Sequence, residues 1–192
     1  MDAKKILKKL FITSFVFVKF QDICAPGKVQ YMNKVYLLIG GNVGDRLQNL
    51  GRAVEWLNEG CGTITGQSGI YETAAWGNTS QPAFLNQALQ LITPYASQKL
   101  MYKILQTEQK MGRKRLEKYG PRVIDIDILF YNNDIIHKPH LTVPHPEIQN
   151  RRFVLAPMNE LAPQLVHPVL KKTIAQLLEE CGDTLEVKRL VV

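Results

Sequence analysis

Two aspartates separated by one residue stand in the most strand-like part of the chain, where they could bind a cation together. Residues 122–131 are rich in Ile, Val, Leu and Phe, which predicts a buried strand. Successive side chains of a strand point to opposite faces. One face then carries Ile124, Ile126, Ile128 and Phe130. The other face carries Val123, Asp125, Asp127 and Leu129.

The two carboxylates, Asp125 and Asp127, would lie roughly 7 Å apart along such a strand. Like charges this close are unfavourable unless a cation lies between them or water screens them. Magnesium is bound through one or two protein carboxylates and keeps its other positions for water and phosphate oxygens. The pattern therefore favours a magnesium site, with an exposed edge strand carrying two solvated acids as the alternative.

A basic loop directly precedes this strand. Residues 112–122 contain five Lys or Arg side chains and one acid, Glu117, with glycines near each end. Arginine forks grip phosphate oxygens in pairs, so a basic loop beside a diacid suits metal-assisted polyphosphate chemistry. We expect the loop to act as a lid that excludes water during phosphoryl transfer. A solvated charged turn is the alternative interpretation of the loop taken alone.

The elements that must position these residues follow from hydrophobic periodicity and from Gly and Pro positions. The predicted strands are 34–39, 63–73, 84–93 and 122–131, and the predicted helices are 44–59, 94–111, 150–161 and 172–181. The order βαββαβ, with helices appended, is that of the ferredoxin-like α+β fold. It predicts a mainly antiparallel sheet with helices packed on it.

Composition limits the possible partners and the compartment. Of the net charge of +7, +4 belongs to residues 1–32, where six lysines face two aspartates. Residues 33–192 are thus nearly neutral, which argues against a nucleic-acid partner. The three cysteines, Cys24, Cys61 and Cys181, form no CxxC pair, so we expect a reducing, cytoplasmic compartment and no structural zinc.

The first 32 residues are expected to stand apart from the domain. Lysines at 4–9 precede an apolar run at 10–18, as in a secretory signal, but that run is shorter than the roughly 20 residues that a bilayer requires. We expect an appended leader, either disordered or translated from a start assigned too far upstream of Met32. Residues 33–192 are predicted to form a single, monomeric domain without membrane contact.

The segment from Gly112 to Phe130 resembles the signature of 6-hydroxymethyl-7,8-dihydropterin pyrophosphokinases, a G-R-x-R run followed by W/Y-G-P-R-x-x-D-x-D-I-L. Here it is GRKR at 112–115 and YGPRVIDIDIL at 119–129. The resemblance covers about residues 33–180. Further matches in the same order are GGN at 40–42, FLN at 84–86, LTVPHP at 141–146 and NRRF at 150–153.

This resemblance implies a reaction and a set of residue roles. The family transfers pyrophosphate from ATP to the hydroxymethyl group of a reduced pterin, in folate biosynthesis. Two magnesium ions would be held by Asp125 and Asp127, while Arg113 and Arg115 would engage the triphosphate and assist transfer. The implied ATP-placing residues are Glu108, Tyr119, Arg122, Thr142, His145 and Arg151. The implied pterin-binding residues are Phe84 and Phe153 around the ring, Asn86 at its edge, and Thr73 and Trp76 through backbone contacts.

Two other functions are compatible with the same elements. One is an RNA-binding ferredoxin-like module that uses the basic loop, although no aromatic RNP1-like strand is present. The other is a catalytically inactive member of the same fold. Formation of AMP from ATP and the hydroxymethyl dihydropterin separates the enzyme from both.

Overall fold

The computed structural model describes residues 31–75, 81–113 and 120–191, and its compact unit comprises residues 31–192. The strands are β1 (Asn33–Gly41), β2 (Thr63–Gln67), β3 (Tyr71–Thr73), β4 (Phe84–Thr93), β5 (Asp125–Tyr131), β6 (Ile136–Lys138), β7 (Leu141–Val143) and β8 (Val187–Arg189). The helices are α1 (Arg46–Gly60), α2 (Ser97–Lys110), α3 (Arg152–Leu161) and α4 (Ile174–Glu179), with a 3-10 turn at Ile148–Asn150.

The main sheet has the predicted ferredoxin-like topology. Its strand order is β5-β1-β4-β3-β8, β2 also pairs with β4, and every one of these pairs is antiparallel. The separate hairpin β6-β7 lies outside this sheet. The prediction of an α+β fold with a mainly antiparallel sheet is confirmed.

Both faces of the sheet are covered, which makes the domain three layers thick. On one face, residues of β1, β4 and β5 pack against α1 and α2, with Leu37, Leu89 and Ile104 fully buried. On the other face, Leu38 and Phe130 pack against α3 and α4. The central strand β1 is therefore buried on both sides, which explains why its sequence is continuously apolar rather than alternating.

Helix ends follow the local sequence. Asp45 caps α1, because its side chain accepts a hydrogen bond from the backbone N–H of Gln48 at 3.0 Å. Thr173 and Gln176 form a reciprocal capping box at the start of α4. These caps satisfy N–H groups that have no partner within the helix itself.

Three of the predicted strand details were wrong. Strand β5 begins at Asp125, whereas its predicted start was residue 122. The predicted strand 63–73 is interrupted between Gln67 and Tyr71, because the Ser68 hydroxyl accepts a hydrogen bond from the N–H of Ala88 (2.9 Å) in place of a regular ladder bond. The predicted sheet face of Phe130, shared with Ile126 and Ile128, was also wrong. The register between β1 and β5 shifts near Leu129, and this β-bulge turns Phe130 to the face opposite Ile126 and Ile128.

Within the described residues, none of the helices combines the length and the apolar character needed to cross a membrane. The predicted leader, residues 1–32, lies almost entirely outside the described part of the chain.

Candidate active site

A cleft of about 330 Å³ opens where the ends of β1, β4 and β5 meet the start of α3. It is near the lower limit of the roughly 300–1,000 Å³ that small-molecule sites occupy. Ten of the sequence-predicted site residues line this cleft: Thr73, Phe84, Asn86, Arg113, Arg122, Asp125, Asp127, His145, Arg151 and Phe153.

The two aspartates face the same side of the sheet. In the antiparallel pair of β1 and β5, Asp125 is opposite Gly40 and Asp127 is opposite Leu38, two residues apart on β1. Both carboxylates therefore reach the cleft that Phe84 and Phe153 also line. This arrangement is the one that the metal–phosphate hypothesis requires.

The carboxylate of Asp125 is already held by two arginines. One oxygen lies 2.7 Å from Nη1 of Arg113, and the other forms an ion pair with Arg122. Burial of Arg113 would lower its pKa, but Asp125 and Glu108 outweigh burial and raise it. The arginines thus supply the positive charge at this point of the cleft.

Asp127 is in a different environment. Within the described ranges, the structure shows no hydrogen bond or ion pair to its carboxylate. Burial, together with repulsion from Asp125 and Glu108, raises the pKa of Asp127 to about 7, against the opposing pull of Arg113 and Arg151. Asp127 is only half-buried and borders the cleft, so its carboxylate is accessible to a cation that would relieve this repulsion.

Glu108 lies behind Arg113 rather than in the cleft wall. Its side chain is nearly inaccessible, accepts a hydrogen bond from the N–H of Ile126 at 2.8 Å and forms an ion pair with Arg113. Burial raises the pKa of Glu108. This position at the end of α2 allows Glu108 to fix both Arg113 and the start of β5.

The predicted nucleotide residues Thr142 and His145 belong to the segment after β5. Thr142 is paired with His137 in the β6-β7 hairpin and does not line the cleft. His145 does line it, and its backbone N–H donates to the carbonyl of Leu129 at 3.0 Å. Burial and the nearby Arg151 lower the pKa of His145, which keeps its ring neutral.

The other end of the cleft is suited to a flat, polar-edged ring. The buried amide of Asn86 donates a hydrogen bond from Nδ2 to the Thr73 hydroxyl at 3.1 Å. A Cβ on Gly40 would come within 2.4 Å of Oδ1 of Asn86, so only glycine leaves room for this amide. The Arg151 guanidinium lies 5.8 Å from the centre of the Phe153 ring.

The Gly-Gly-Asn sequence at the end of β1 anchors the end of the basic loop. Oδ1 of Asn42 accepts the N–H of Arg122 at 2.8 Å, and the N–H of Asn42 donates to the carbonyl of Arg122 at 2.9 Å. A Cβ on Gly41 would lie 2.3 Å from the carbonyl oxygen of Val123. The absence of a side chain at Gly41 lets the two backbones approach closely.

Sequence reasoning missed several residues that line the cleft. Leu38, Met101 and Ile126 resemble core residues in the sequence, because they stand in strongly apolar or helical patterns. Gln81 also lines the cleft and accepts a hydrogen bond from Nδ2 of Asn42 at 3.2 Å. Gln81 could have been found from the sequence, because it stands next to Pro82, just before a strand that carries two predicted site residues.

Three predicted site residues, Trp76, Arg115 and Tyr119, lie outside the described residues, as does most of the basic loop. In the described ranges there is no group of three or more His, Cys, Asp or Glu side chains that could hold a metal. A pair of carboxylates is nevertheless sufficient for magnesium when phosphate and water supply the remaining ligands. The donor set at Asp125 and Asp127 fits that ion.

Comparison with known proteins gives one consistent result. The family model for 7,8-dihydro-6-hydroxymethylpterin-pyrophosphokinase (HPPK) matches residues 36–163. A relative from Aquifex aeolicus, named 2-amino-4-hydroxy-6-hydroxymethyldihydropteridine pyrophosphokinase, is 41% identical over 149 residues, which is 78% of this chain and 92% of the relative. A relative of the same name from Synechocystis is 41% identical over 147 residues, covering 76% of this chain and 75% of the relative.

Among solved structures, the wild-type HPPK-DHPS of Plasmodium falciparum with pteroate superposes with a TM-score of 0.65 at 17% sequence identity. The match covers 80% of this chain, but it spans only 43% of that longer protein, and at this identity it shows the fold alone. The family match extends over most of the described domain, and the two relatives align along most of their own length. The chain therefore belongs to the 7,8-dihydro-6-hydroxymethylpterin-pyrophosphokinase family.

Proposed function

We propose that this protein transfers pyrophosphate from ATP to the hydroxymethyl group of 6-hydroxymethyl-7,8-dihydropterin, a step of folate biosynthesis. The observation that carries the proposal is the composition of one cleft, which is lined by Asp125, Asp127 and three arginines and also by Asn86 and two phenylalanines. The cationic and acidic end suits a metal-bound triphosphate, and the aromatic end suits a pterin. The family and its relatives support the same reaction.

In this reaction the hydroxymethyl oxygen attacks the β-phosphorus of ATP. The new bond joins that oxygen to the β-phosphorus, the bond between the β-phosphorus and the oxygen bridging to the α-phosphorus breaks, and AMP leaves. The hydroxyl proton is released as the new bond forms. Because the protein forms no covalent intermediate, its contribution is positioning and charge stabilisation.

We propose magnesium as the cofactor, held as two ions by Asp125 and Asp127. Divalent ions on the phosphates would neutralise charge and polarise the β-phosphoryl group. The raised pKa of Asp127 and the lack of a described partner for its carboxylate support this role. Arg113 now holds an oxygen of Asp125, so it is within reach of any phosphate that those ions bind.

The pterin is proposed to lie between Phe84 and Phe153, with Asn86 at its edge. An amide both donates and accepts hydrogen bonds, as the edge of a pterin does. The bond from Nδ2 of Asn86 to Thr73 fixes the orientation of that amide before the substrate arrives. The remaining donor and the oxygen of Asn86 are then available to the substrate.

The same roles are proposed for the other predicted residues. ATP would be placed by Tyr119, Arg122, His145 and Arg151, with Glu108 acting through its ion pair with Arg113 and Thr142 contacting ATP from the β6-β7 hairpin outside the cleft. Arg115 would assist transfer, and Trp76 would add a backbone contact to the pterin. We propose a cytoplasmic monomer without a nucleic-acid or membrane partner. Cys61 and Cys181 are free thiols, as a reducing compartment would leave them.

The alternative of an RNA-binding module is not supported, because the matched family and both named relatives are pyrophosphokinases. Measuring the reaction products tests the second alternative, an inactive member of the family. The protein is incubated with ATP, magnesium and the hydroxymethyl dihydropterin, and nucleotides are separated. Equimolar AMP and pterin diphosphate are expected. ADP as the nucleotide product, or AMP without pterin consumption, would refute the reaction.

The metal role is tested at Asp127. Asp127→Asn should lower kcat by about a hundredfold or more, since several kcal/mol of charge stabilisation are lost. Asp134→Asn is the matched control, because Asp134 is an exposed aspartate just beyond the other end of β5. Calorimetric titration of magnesium in the presence of an ATP analogue gives a second measurement. Near-normal turnover and metal binding in Asp127→Asn would defeat the assignment.

The role of Arg113 is tested by separating transfer from binding. Arg113→Ala should lower kcat more than it weakens pterin binding, because the guanidinium faces the phosphate end of the cleft. Thermal unfolding must be measured alongside, since the change also removes the ion pair with buried Glu108. A larger effect on pterin affinity than on kcat would show that Arg113 has a different role.

A further inference from the structure

We propose that the C-terminal segment, residues 183–189, positions the two walls between which the pterin binds. Asp183 and Arg189 would be the positioning residues, and neither touches the substrate. This inference rests on the proposed function, because it assumes that the pterin lies between Phe153 and the wall formed by β3 and β4. The segment lies beyond residues 36–163, the range that the family model matches.

The first anchor is at the start of α3, which carries Phe153 in its first turn. The residue at the N-cap position is Arg151, whose side chain makes no capping hydrogen bond. Oδ2 of Asp183 instead accepts the backbone N–H of Arg152 at 3.0 Å. A carboxylate at a helix N-terminus is favoured by both hydrogen bonding and the helix dipole. The segment therefore supplies a cap that α3 does not provide itself.

A second hydrogen bond, to the other oxygen of Asp183, fixes the orientation of this carboxylate. Oδ1 of Asp183 accepts the N–H of Leu185 at 3.1 Å, so both oxygens have a backbone donor. Rotation of the carboxylate away from Arg152 would break both bonds. Asp183 thereby connects the direction of the C-terminal segment to the position of the first turn of α3.

The second anchor joins the other end of α3 to β3. Arg189 holds both carboxylate oxygens of Glu160, with Nε 3.2 Å from Oε2 and Nη2 3.1 Å from Oε1. The hydroxyl of Tyr71, the first residue of β3, donates to Oε2 of the same carboxylate at 2.7 Å. The hydrogen bonds from Arg189 are the main cause of the lowered pKa of Glu160.

The backbone of β8 reinforces this anchor. β8 pairs with β3, with Val187 opposite Thr73 and Arg189 opposite Tyr71. Thr73 is the residue that holds the Asn86 amide. The C-terminal segment thus contacts the helix that carries Phe153 and the strand that orients Asn86. A shift of the segment would change the separation of these two walls.

A glycine opposite Arg189 offers an independent way to disturb the second anchor. A Cβ on Gly69 would lie 2.6 Å from Nε of Arg189, a distance that forces the guanidinium to move. Gly69→Ala should therefore displace Arg189 from Glu160 without removing any charged group. Gly69→Ala therefore tests the position of the Arg189 guanidinium while both charges of the ion pair remain in the protein.

The test compares two binding equilibria in the full-length protein. Binding of 6-hydroxymethyl-7,8-dihydropterin is titrated in the presence of magnesium and α,β-methylene ATP, whose α–β linkage cannot be cleaved. Binding of the ATP analogue is titrated without pterin. Asp183→Ala should raise the pterin Kd about fivefold, the scale of a lost helix cap. Arg189→Ala and Gly69→Ala should each raise it about twofold, as expected for an exposed ion pair.

The double variant Asp183→Ala/Arg189→Ala is expected to raise the pterin Kd about tenfold, while the Kd of the ATP analogue changes less than about twofold. Asp183→Asn should restore most of the affinity lost in Asp183→Ala, because its amide oxygen can accept the same N–H. The matched control is Lys172→Ala/Lys188→Ala, which removes two exposed ion pairs from the same part of the chain. It should leave both equilibria unchanged.

The outcomes are separable. A rise in the pterin Kd of less than about threefold in the double variant overturns the inference. An equal rise for the ATP analogue also overturns it, because the segment would then position Arg151 at the start of α3 as much as Phe153, or would only stabilise the fold in general. If the wild-type protein binds pterin and forms AMP while the double variant matches it, only this inference fails. If the wild-type protein neither binds pterin nor forms AMP, the proposed function fails, and this inference with it.

Discussion

Replacing Thr73 by valine removes a single hydrogen-bond acceptor from the pterin end of the cleft. The hydroxyl of Thr73 accepts Nδ2 of Asn86 at 3.1 Å, and both side chains are only 4% exposed. Valine has nearly the same shape, so the change leaves no large cavity. It leaves a buried amide N–H without its acceptor, which costs about 1–3 kcal/mol.

The lower part of that range is expected, because Asn86 borders the cleft and water can reach it. A loss of about 1–2 kcal/mol lowers the melting temperature by about 2–8 °C in a protein of this size. The pterin should bind more weakly as well, since the Asn86 amide is then free to rotate. ATP affinity should not change, because β1 separates Asn86 from Asp125, with Gly40 opposite both residues.

Urea unfolding and pterin titration of the same preparations provide the assay. Thr65→Val is the matched control: the Thr65 hydroxyl accepts Nε2 of Gln90 at 2.7 Å across a neighbouring strand pair, but that contact is exposed. The control should cost less than about 0.5 kcal/mol and leave binding unchanged. If Thr73→Val has no greater effect than Thr65→Val on stability and pterin affinity, the proposed orientation of Asn86 is refuted.

Three further predictions follow from the same cleft and from the core. Without magnesium, Asp127→Asn should stabilise the protein at pH 8 but not at pH 4. Burial raises the pKa of Asp127 in the folded state to about 7, so the wild-type protein loses stability as the pH rises towards that value. Urea unfolding at several pH values would detect the difference. Gly41→Ala should lower the free energy of unfolding by about 3 kcal/mol or more and reduce turnover, because its Cβ would lie 2.3 Å from the carbonyl oxygen of Val123. Gly51→Ala is the control: open space surrounds Gly51, so this change should not lower the stability. Stability should fall as pH drops below about 6.5, because burial lowers the pKa of His167, and His167→Asn should flatten that dependence in the same unfolding series.

The strands that could be predicted well are those in which polarity alternates or ends abruptly. β4 has the predicted bounds, 84–93, because a proline-containing loop precedes it and Pro94 follows it. The bulge at Leu129 could not be predicted, since residues 128–131 are all apolar or aromatic and either face accepts them. The short strand β8 was missed for a similar reason, because Val187–Arg189 has no apolar pattern and depends on pairing with β3.

Some features of the candidate site were predictable from the sequence and others were not. The shared face of Asp125 and Asp127 was predictable because side chains two positions apart in a strand point to the same side. The burial of Glu108 behind Arg113 was not, because it depends on how the end of α2 meets β5 rather than on local sequence. Leu38 and Met101 line the cleft but have the sequence pattern of core residues. A cleft wall of apolar side chains is visible only after the layers are packed.

The arginines around Asp125 balance the charge of one of the two acids on this strand. Both oxygens of Asp125 are engaged by guanidinium groups, and Glu108 shares one of them. Asp125 consequently takes its counter-charges from the chain itself, so the start of β5 does not need a bound cation to hold its conformation. If magnesium binds as proposed, a chelator should abolish turnover while the protein stays folded, and folding and metal binding are then separate events.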